Sequence, residues 1–226
     1  MPDQKQIIGM FDAISHRYDF LNSFLSLGIH HLWKKKAVQK LAPISGGHYL
    51  DMCCGTGDLA QRIQKTVQAQ AHVTGMDLSE KMLAIAHHKN PHIQYIQASA
   101  TEIPFPDNSL DGIIIGFGIR NVVQRSKAFE EFYRCLKPQG KLIILEFSQP
   151  QNMILNQLYQ FYFKKILPWI GQHFSKHAQA YQYLPDSVHE FPFGEKFLLE
   201  WQPAGFKELK CFPVSLGIAT IYEGKK

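Results

Sequence analysis

The sequence predicts an α/β fold built on a doubly wound sheet of seven strands. Short apolar runs alternate with amphipathic helical segments along most of the chain, as is typical of strands joined by crossover helices. One run begins at Tyr49, passes Asp51 and leads through Gly55 and Gly57 into a helix. A strand, a tight glycine turn and a helix, in that order, form a nucleotide-binding crossover.

The predicted elements follow in a regular order. Helices are expected over residues 4–15, 19–27, 31–41, 58–67, 79–89, 126–136 and 194–201. Besides the strand at Tyr49, strands are expected over residues 71–77, 92–97, 111–116, 141–147, 206–213 and 217–223. We expect residues 1–226 to form one domain, in which 1–43 are a helical cap and 151–191 a helical insertion after the fifth strand. The helical cap is expected to pack at the open end of the sheet.

Composition and charge exclude several classes of protein. The 226 residues are 45% hydrophobic and carry 24 basic and 19 acidic side chains, a net charge of +5. Such a modest charge argues against a nucleic-acid partner. No apolar run approaches the ~18 residues of a transmembrane helix, so a cytoplasmic protein is expected. The four cysteines lack the spacing of zinc ligands, and no metal is predicted.

The glycine turn admits two kinds of cofactor. Gly55 and Gly57 lack a Cβ, so the backbone can take left-handed dihedrals and approach a ligand closely. The pattern also fits a dinucleotide, which makes an NAD-dependent oxidoreductase the main alternative. Asp51 favours S-adenosylmethionine (SAM), because a carboxylate attracts ammonium and sulfonium groups and repels a pyrophosphate. Asp77, at the end of the second strand, is placed to bind the ribose hydroxyls of either cofactor.

Three groups of residues carry a family resemblance. Asp51, the glycine turn and Asp77 together resemble the SAM site of class I methyltransferases. Two further stretches resemble the signatures of the ubiquinone/menaquinone biosynthesis C-methyltransferases, namely Tyr18-Asp19-Phe20-Leu21-Asn22 onwards to Trp33 and Arg134-Cys135-Leu136-Lys137-Pro138 onwards to Ser148. This resemblance implies a mostly parallel, Rossmann-like sheet ending in an antiparallel hairpin. It also implies methylation of a ring carbon of a prenylated quinol, with benzoquinol and naphthoquinol left open.

The resemblance and the strand ends together predict the site residues. Cofactor contacts are expected from Asp51, Gly55, Thr56, Gly57, Asp77, Leu78, Ser99, Ala100, Gly116 and Phe117. Arg120 and Asn121 follow the fourth strand, where ligands bind in doubly wound sheets, and are predicted to act on the quinol. Arg120 would stabilise its phenolate form, while His30 or Asp19 takes the proton. The sulfonium is expected to face an aromatic ring of Tyr18, Trp33 or Phe117.

The segment 151–191 is unusually rich in aromatic residues. It fits either the core of a helical cap or a shelter for an isoprenoid tail, and Lys164 and Lys165 are placed to meet anionic headgroups. The resemblance implies a prenylated quinol as the partner. Contact with the surface of the inner membrane and a homodimer or quinone-biosynthesis complex are further expectations. Three weaker alternatives are a non-catalytic SAM-binding subunit, an RNA methyltransferase, and a methyltransferase of another small molecule.

Overall fold

A single mostly parallel sheet runs through the computed structural model, which describes residues 3–161 and 178–226. Its strands are β1 (His48–Met52), β2 (His72–Asp77), β3 (Gln94–Gln97), β4 (Leu110–Gly116), β5 (Leu136–Phe147), β6 (Lys207–Val214) and β7 (Ala219–Lys225). They lie in the order β3-β2-β1-β4-β5-β7-β6. The first five are parallel, and β7 is antiparallel to both β5 and β6. The predicted fold class and its terminal hairpin are confirmed.

The helices lie close to their predicted positions. They are α1 (Gln4–Ile14), α2 (Tyr18–Leu25), α3 (His30–Leu41), α4 (Asp58–Thr66), α5 (Glu80–Lys89), α6 (Arg125–Cys135), α7 (Met153–Phe161), α8 (Ala178–Glu190) and α9 (Glu195–Leu198). None of the described helices is long and apolar enough to cross a bilayer. The main departure is β5, which begins at Leu136 rather than 141. Leu136 pairs with Leu110 before the register shifts, so the predicted turn around Gln139 is an irregularity within the strand.

Apolar side chains on the two faces of the sheet form two separate cores. One core holds Leu50 and Met52 of β1 together with α6 and the aromatic residues around Trp201. The other holds Tyr49 of β1 against α3 and α4. Because side chains alternate along a strand, Asp51 shares the Tyr49 face and points towards α3 and α4. This alternation decides the environment of Asp51.

The N-terminal helices cover the carboxyl ends of the parallel strands. A capping box starts α1, in which the Asp3 carboxylate accepts from the Gln6 amide and the Gln6 side chain accepts from the Asp3 amide. The Ser79 hydroxyl, at the start of α5, donates a hydrogen bond to the carboxylate of Asp12. The cap is thereby attached to the helix that follows β2, and it closes over the edge where ligands bind in such sheets.

Candidate SAM and substrate site

A cavity of about 280 Å³ opens at the carboxyl ends of β1, β2 and β4, beneath α1 and α2. It brings together many of the residues predicted from sequence: Tyr18, Gly55, Asp77, Leu78, Ser99, Ala100, Gly116, Phe117 and Asn121. The remaining predicted residues are all described but do not line it: Asp19, His30, Trp33, Asp51, Thr56, Gly57 and Arg120. Their environments follow from their burial and their partners.

The glycine loop and Asp77 form one hydrogen-bonded unit. Gly55 and Gly57 adopt φ values of +53° and +80°, the left-handed region that favours glycine. The Gly55 and Ser79 amides donate to the two carboxylate oxygens of Asp77, each at 2.9 Å. Burial raises the pKa of Asp77. Since each oxygen keeps a second lone pair, the carboxylate can still accept hydrogen bonds from a ribose diol, and the residues present fit the nucleoside of SAM.

Asp51, a predicted cofactor contact, does not line the cavity. Its side chain is fully buried on the α3 and α4 face of β1, and Oδ2 accepts a 2.8 Å hydrogen bond from the Ala60 amide. Oδ1 has no partner among the described residues. This burial raises the pKa of Asp51 to about 7. The position supports a role in fixing the start of α4, which carries the glycine loop.

Asp19, predicted as a base, lies in an ion-pair network outside the cavity. Lys89 Nζ lies 2.8 Å from Asp19 Oδ2 and 2.9 Å from Asp58 Oδ1. The Thr56 hydroxyl accepts from Lys89 at 3.2 Å and donates to Asp19 Oδ1 at 2.6 Å. Lys34 Nζ binds the other oxygen of Asp58 at 2.8 Å. The hydrogen bond between Asp19 and Thr56 therefore joins α2 to the glycine loop. The carboxylates of Asp19 and Asp58 are already engaged by two lysines and this hydroxyl.

In this network the oppositely charged partners outweigh the effect of burial on the pKa of both Asp58 and Lys89. Burial alone would raise the pKa of the Asp58 carboxyl, but Lys34 and Lys89 hold it below its ordinary value. The same contacts raise the pKa of Lys89 above its ordinary value, although burial by itself would lower it. Both groups are thus charged at neutral pH, so the network is ionic under working conditions.

His30, the other predicted base, is buried beside α2. Its Nδ1 lies 2.6 Å from the Ser26 hydroxyl, and burial together with nearby Lys34 lowers its pKa to about 4. Ligand atoms of His30, His31 and Asp58 lie within 4.8 Å of one another. Cations already contact this group, since Lys34 and Lys89 bind Asp58 and Arg62 binds His31. The group is therefore poorly suited to a further cation.

Arg120 is turned away from the cavity by a buried carboxylate. Its Nη1 lies 2.9 Å from Oε1 of Glu146, which is fully buried at the end of β5. Nη1 also donates to the Phe117 carbonyl, and Nε donates to the Ser187 hydroxyl at 3.4 Å. A buried carboxylate needs a cation, and Arg120 supplies it. Arg120 consequently holds the Phe117 turn, which does line the cavity.

Asn121 and two tyrosines stand where the cofactor loops meet the insertion. The Tyr183 hydroxyl of α8 donates a 2.7 Å hydrogen bond to Asn121 Oδ1. Tyr159 of α7 is buried, and both tyrosines lie within the electrostatic reach of Arg120. Trp33 does not line the cavity, since it packs behind Phe117 at a ring separation of 6.2 Å. The described ends of the insertion therefore contribute side chains beside the predicted catalytic turn.

Sequence reasoning missed several residues that the structure brings to this site. Glu146 lies next to the last residue of a buried strand, and Asp77 is the last residue of another. An acid at the end of an apolar run was therefore the sequence signal that could have identified Glu146. Cys53 lines the cavity with a left-handed φ of +56°, a backbone conformation without a sequence signature in a non-glycine residue. Ile7 and Phe11 of α1 also line it. Their contact depends on how the cap packs, which no local pattern predicts.

Comparisons with known proteins decide the family. The model of the ubiE/COQ5 methyltransferase family matches residues 1–226. The chain belongs to this family. It is 45% identical over 98% of its length, and 97% of the relative's, to a ubiquinone/menaquinone biosynthesis C-methyltransferase of Geotalea daltonii. It is 41% identical to a demethylmenaquinone methyltransferase of Chlorobaculum tepidum, over 99% of this chain and 93% of the relative.

Solved structures of lower identity share the fold of this family member. A SAM-dependent methyltransferase from Thermotoga maritima aligns with a TM-score of 0.67 and 21% identity, covering 96% of this chain and 99% of that one. A phosphoethanolamine N-methyltransferase from Haemonchus contortus, solved with SAM, aligns with a TM-score of 0.61 and 18% identity, covering 92% and 59%. The family member is a SAM-dependent methyltransferase, and the predicted cofactor and enzyme class are confirmed.

Proposed function

We propose that this methyltransferase transfers the methyl group of SAM to a ring carbon of a prenylated quinol. The full-length similarity to ubiquinone/menaquinone biosynthesis C-methyltransferases carries the proposal. A ring carbon becomes nucleophilic when a neighbouring hydroxyl loses its proton, because the phenolate pushes electron density into the ring. A free phenol has a pKa of about 10, so the site must favour the anion.

Asn121 and Tyr18 are the proposed donors to the phenolate oxygen. The Tyr183 hydroxyl occupies Asn121 Oδ1, which leaves the amide nitrogen of Asn121 free to donate into the cavity. Burial raises the pKa of Tyr18, so its hydroxyl keeps its proton and can also donate. Two fixed donors aimed at a developing oxyanion favour it over the neutral phenol. Arg120 is a positioning residue in this proposal, acting through the Phe117 turn.

The cap supplies the dry environment that methyl transfer needs. SAM would supply an electrophilic methyl group on a sulfonium, whose positive charge cancels the phenolate charge when the S–CH3 bond breaks and the C–CH3 bond forms. Such charge cancellation is faster away from water. The methylated ring carbon then loses its proton to solvent, which restores the aromatic quinol. Ile7, Phe11 and Tyr18 cover the cavity from the side of α1 and α2. Asp19 and His30 contact other side chains, and we assign them to holding this cap.

The isoprenoid tail is proposed to lie along the insertion after β5. Tyr159 and Tyr183 bring the described ends of the insertion within electrostatic reach of Arg120, and Tyr183 donates to Asn121, which lines the cavity. Phe163, Lys164, Lys165 and Trp169, which the sequence singles out for the tail and the membrane, lie outside the described residues. A tail also implies peripheral contact with a membrane, because it partitions into lipid. A homodimer or a complex of quinone-biosynthesis proteins remains part of the proposal.

A product assay tests the function. Chemically reduced demethylmenaquinone and the methoxy-benzoquinone precursor of ubiquinol are each offered with methyl-labelled SAM, and the labelled product is identified. We expect label on the ring carbon of one or both quinols. Label on oxygen, or none on either ring, would overturn the proposal. Thermal stabilisation by S-adenosylhomocysteine, compared with NAD, separates this proposal from the oxidoreductase alternative.

A further inference from the structure

Three segments at the carboxyl end of the sheet expose large apolar side chains. Leu27 precedes α3 and is 85% exposed, while Leu32, in the first turn of α3, is 60% exposed. Leu216, in the turn between β6 and β7, is 75% exposed. Single exposed leucines are common on protein surfaces, so their meaning depends on whether they form one surface.

Two contacts join these segments into one surface. The Trp33 indole donates a 2.8 Å hydrogen bond to the Ser215 hydroxyl, and Leu32 and Leu216 directly adjoin this pair in sequence. On the far side of the same turn, Gly217 lies against the backbone of Pro150, since a Cβ added to Gly217 would be 3.3 Å from the Pro150 Cα. Pro150 leads into α7, whose first two residues, Met153 and Ile154, are 74% and 70% exposed. We call this surface the apolar rim: Leu27, Leu32, Met153, Ile154 and Leu216.

Lysines border the apolar rim. Lys35 and Lys36 lie three and four residues after Leu32, so they share its exposed helix face, and both are exposed. Neither forms an ion pair within the described ranges 3–161 and 178–226. The chain as a whole carries a net charge of +5. Apolar side chains edged by unpaired cations match the interface of an anionic bilayer.

The apolar rim also adjoins the cavity. Trp33, which anchors the rim to the turn between β6 and β7, packs against Phe117 at 6.2 Å, and Phe117 lines the cavity. We propose that the apolar rim docks this enzyme on an anionic lipid bilayer, with the cavity mouth beside the membrane. This inference rests on the proposed function, because the proposed substrate is a prenylated quinol whose tail is held in that membrane.

Vesicle binding tests the surface, and a paired variant controls for lost hydrophobicity. The Leu27→Gln/Leu216→Gln protein is compared with Ile44→Gln/Leu199→Gln, which removes apolar side chains that are 63% and 58% exposed outside the rim. Each protein is sedimented with vesicles of phosphatidylcholine alone or mixed with phosphatidylglycerol. We expect the parent and the control to bind the anionic vesicles, and the rim variant to bind at least about tenfold more weakly. Lys35→Glu/Lys36→Glu should remove the preference for phosphatidylglycerol.

Methylation assays and the molecular mass in solution distinguish membrane docking from dimer formation and from a failure of the proposed function. All variants should methylate a quinol without a tail as the parent does, whereas the rim variant should lose activity on a long-tailed quinol in vesicles. Equal vesicle binding by parent and rim variant would overturn the inference. A parent dimer that the rim variant converts to a monomer would assign the rim to a second copy and also overturn it. Vesicle binding without methylation of any quinol would instead refute the proposed function alone.

Discussion

Two carboxylates near the glycine loop have different surroundings, since Asp51 is buried and Asp77 is half-buried. Asp77 faces the cavity and accepts two backbone amides, while Asp51 faces α3 and α4 and accepts one. The sequence predicts that both acids lie near strand ends, because each belongs to an apolar run followed by a helix. The face that each side chain points to depends on how the strand is placed in the sheet, which the apolar run alone does not specify, so the sequence does not distinguish the surroundings of Asp51 from those of Asp77.

Asp77 is expected to carry most of the polar recognition of the cofactor. In Asp77→Ala, the ribose diol loses a charged acceptor, which should cost about 2–4 kcal/mol or roughly thirty- to thousand-fold in affinity. Calorimetric titration with S-adenosylhomocysteine measures this loss. Asp186→Ala, at an exposed carboxylate of α8, serves as the control and should bind as the parent does. A folded Asp77→Ala protein with parental affinity would contradict the assignment.

Asp51 should leave a signature in the pH dependence of stability. Burial raises its pKa from 3.8 to about 7, so the folded protein holds this proton more tightly than the unfolded chain does. The stabilisation is complete below about pH 4 and is lost as the pH rises towards 7. Asp51→Asn removes this titration. Between pH 5 and pH 8 the Tm of the parent should therefore fall relative to that of the variant, and parallel curves would refute the expectation.

Arg120 should affect turnover more than cofactor binding. Arg120→Lys keeps a cation near Glu146 but loses the planar fork that also reaches Phe117 and Ser187. We expect SAM affinity within a few-fold of the parent and turnover lower by about a hundredfold, because a shift of the Phe117 turn misplaces the neighbouring Asn121. Arg120→Met, which leaves Glu146 buried without a cation, should instead destabilise the fold by about 3–5 kcal/mol. Weak SAM binding with normal turnover at saturation would place Arg120 in the cofactor site.

The ion-pair network couples four helices and the glycine loop, which local sequence patterns treat as separate elements. Lys89 of α5 contacts Asp19 of α2, Asp58 of α4 and Thr56 of the glycine loop, and Lys34 of α3 completes it. Hydrophobic periodicity predicted all four helices. It could not predict their polar contacts, because residues so distant in sequence meet only after the sheet has formed. The sequence therefore predicts proton transfer for Asp19 but not its contacts with Lys89 and Thr56.

Removing Lys89 should loosen the cap over the cofactor. In Lys89→Met, α2 loses its ionic link to the glycine loop, and we expect SAM to bind about tenfold more weakly. Adding 0.5 M NaCl should weaken binding by the parent through screening and have less effect on the variant. Lys81→Met, at an exposed position of the same helix, is the control. Equal salt dependence of Lys89→Met and the parent would show that the network does not act on the site.

Across the whole molecule, strand and helix patterns predicted the architecture more fully than the chemistry. The alternating runs gave seven strands, and the acids and glycines marked the edge where the cavity opens. The structure differs from the sequence-based expectation where a residue distant in sequence determines the local backbone or side-chain conformation. Leu136 belongs to β5 because it pairs with Leu110, and Arg120 does not line the cavity because it forms an ion pair with Glu146. Both effects need tertiary contacts that a linear pattern does not contain.

The position of β7 between β5 and β6 has a consequence for synthesis on the ribosome. β6 leaves the exit tunnel before β7, the strand with which it pairs. The five parallel strands and their cofactor loops are already translated at that stage, so this part of the nascent chain can fold first. Until β7 arrives, β5 presents an open edge that includes Leu142 and Ile144. An unpaired apolar edge invites aggregation, which makes this interval the moment when a chaperone is most needed.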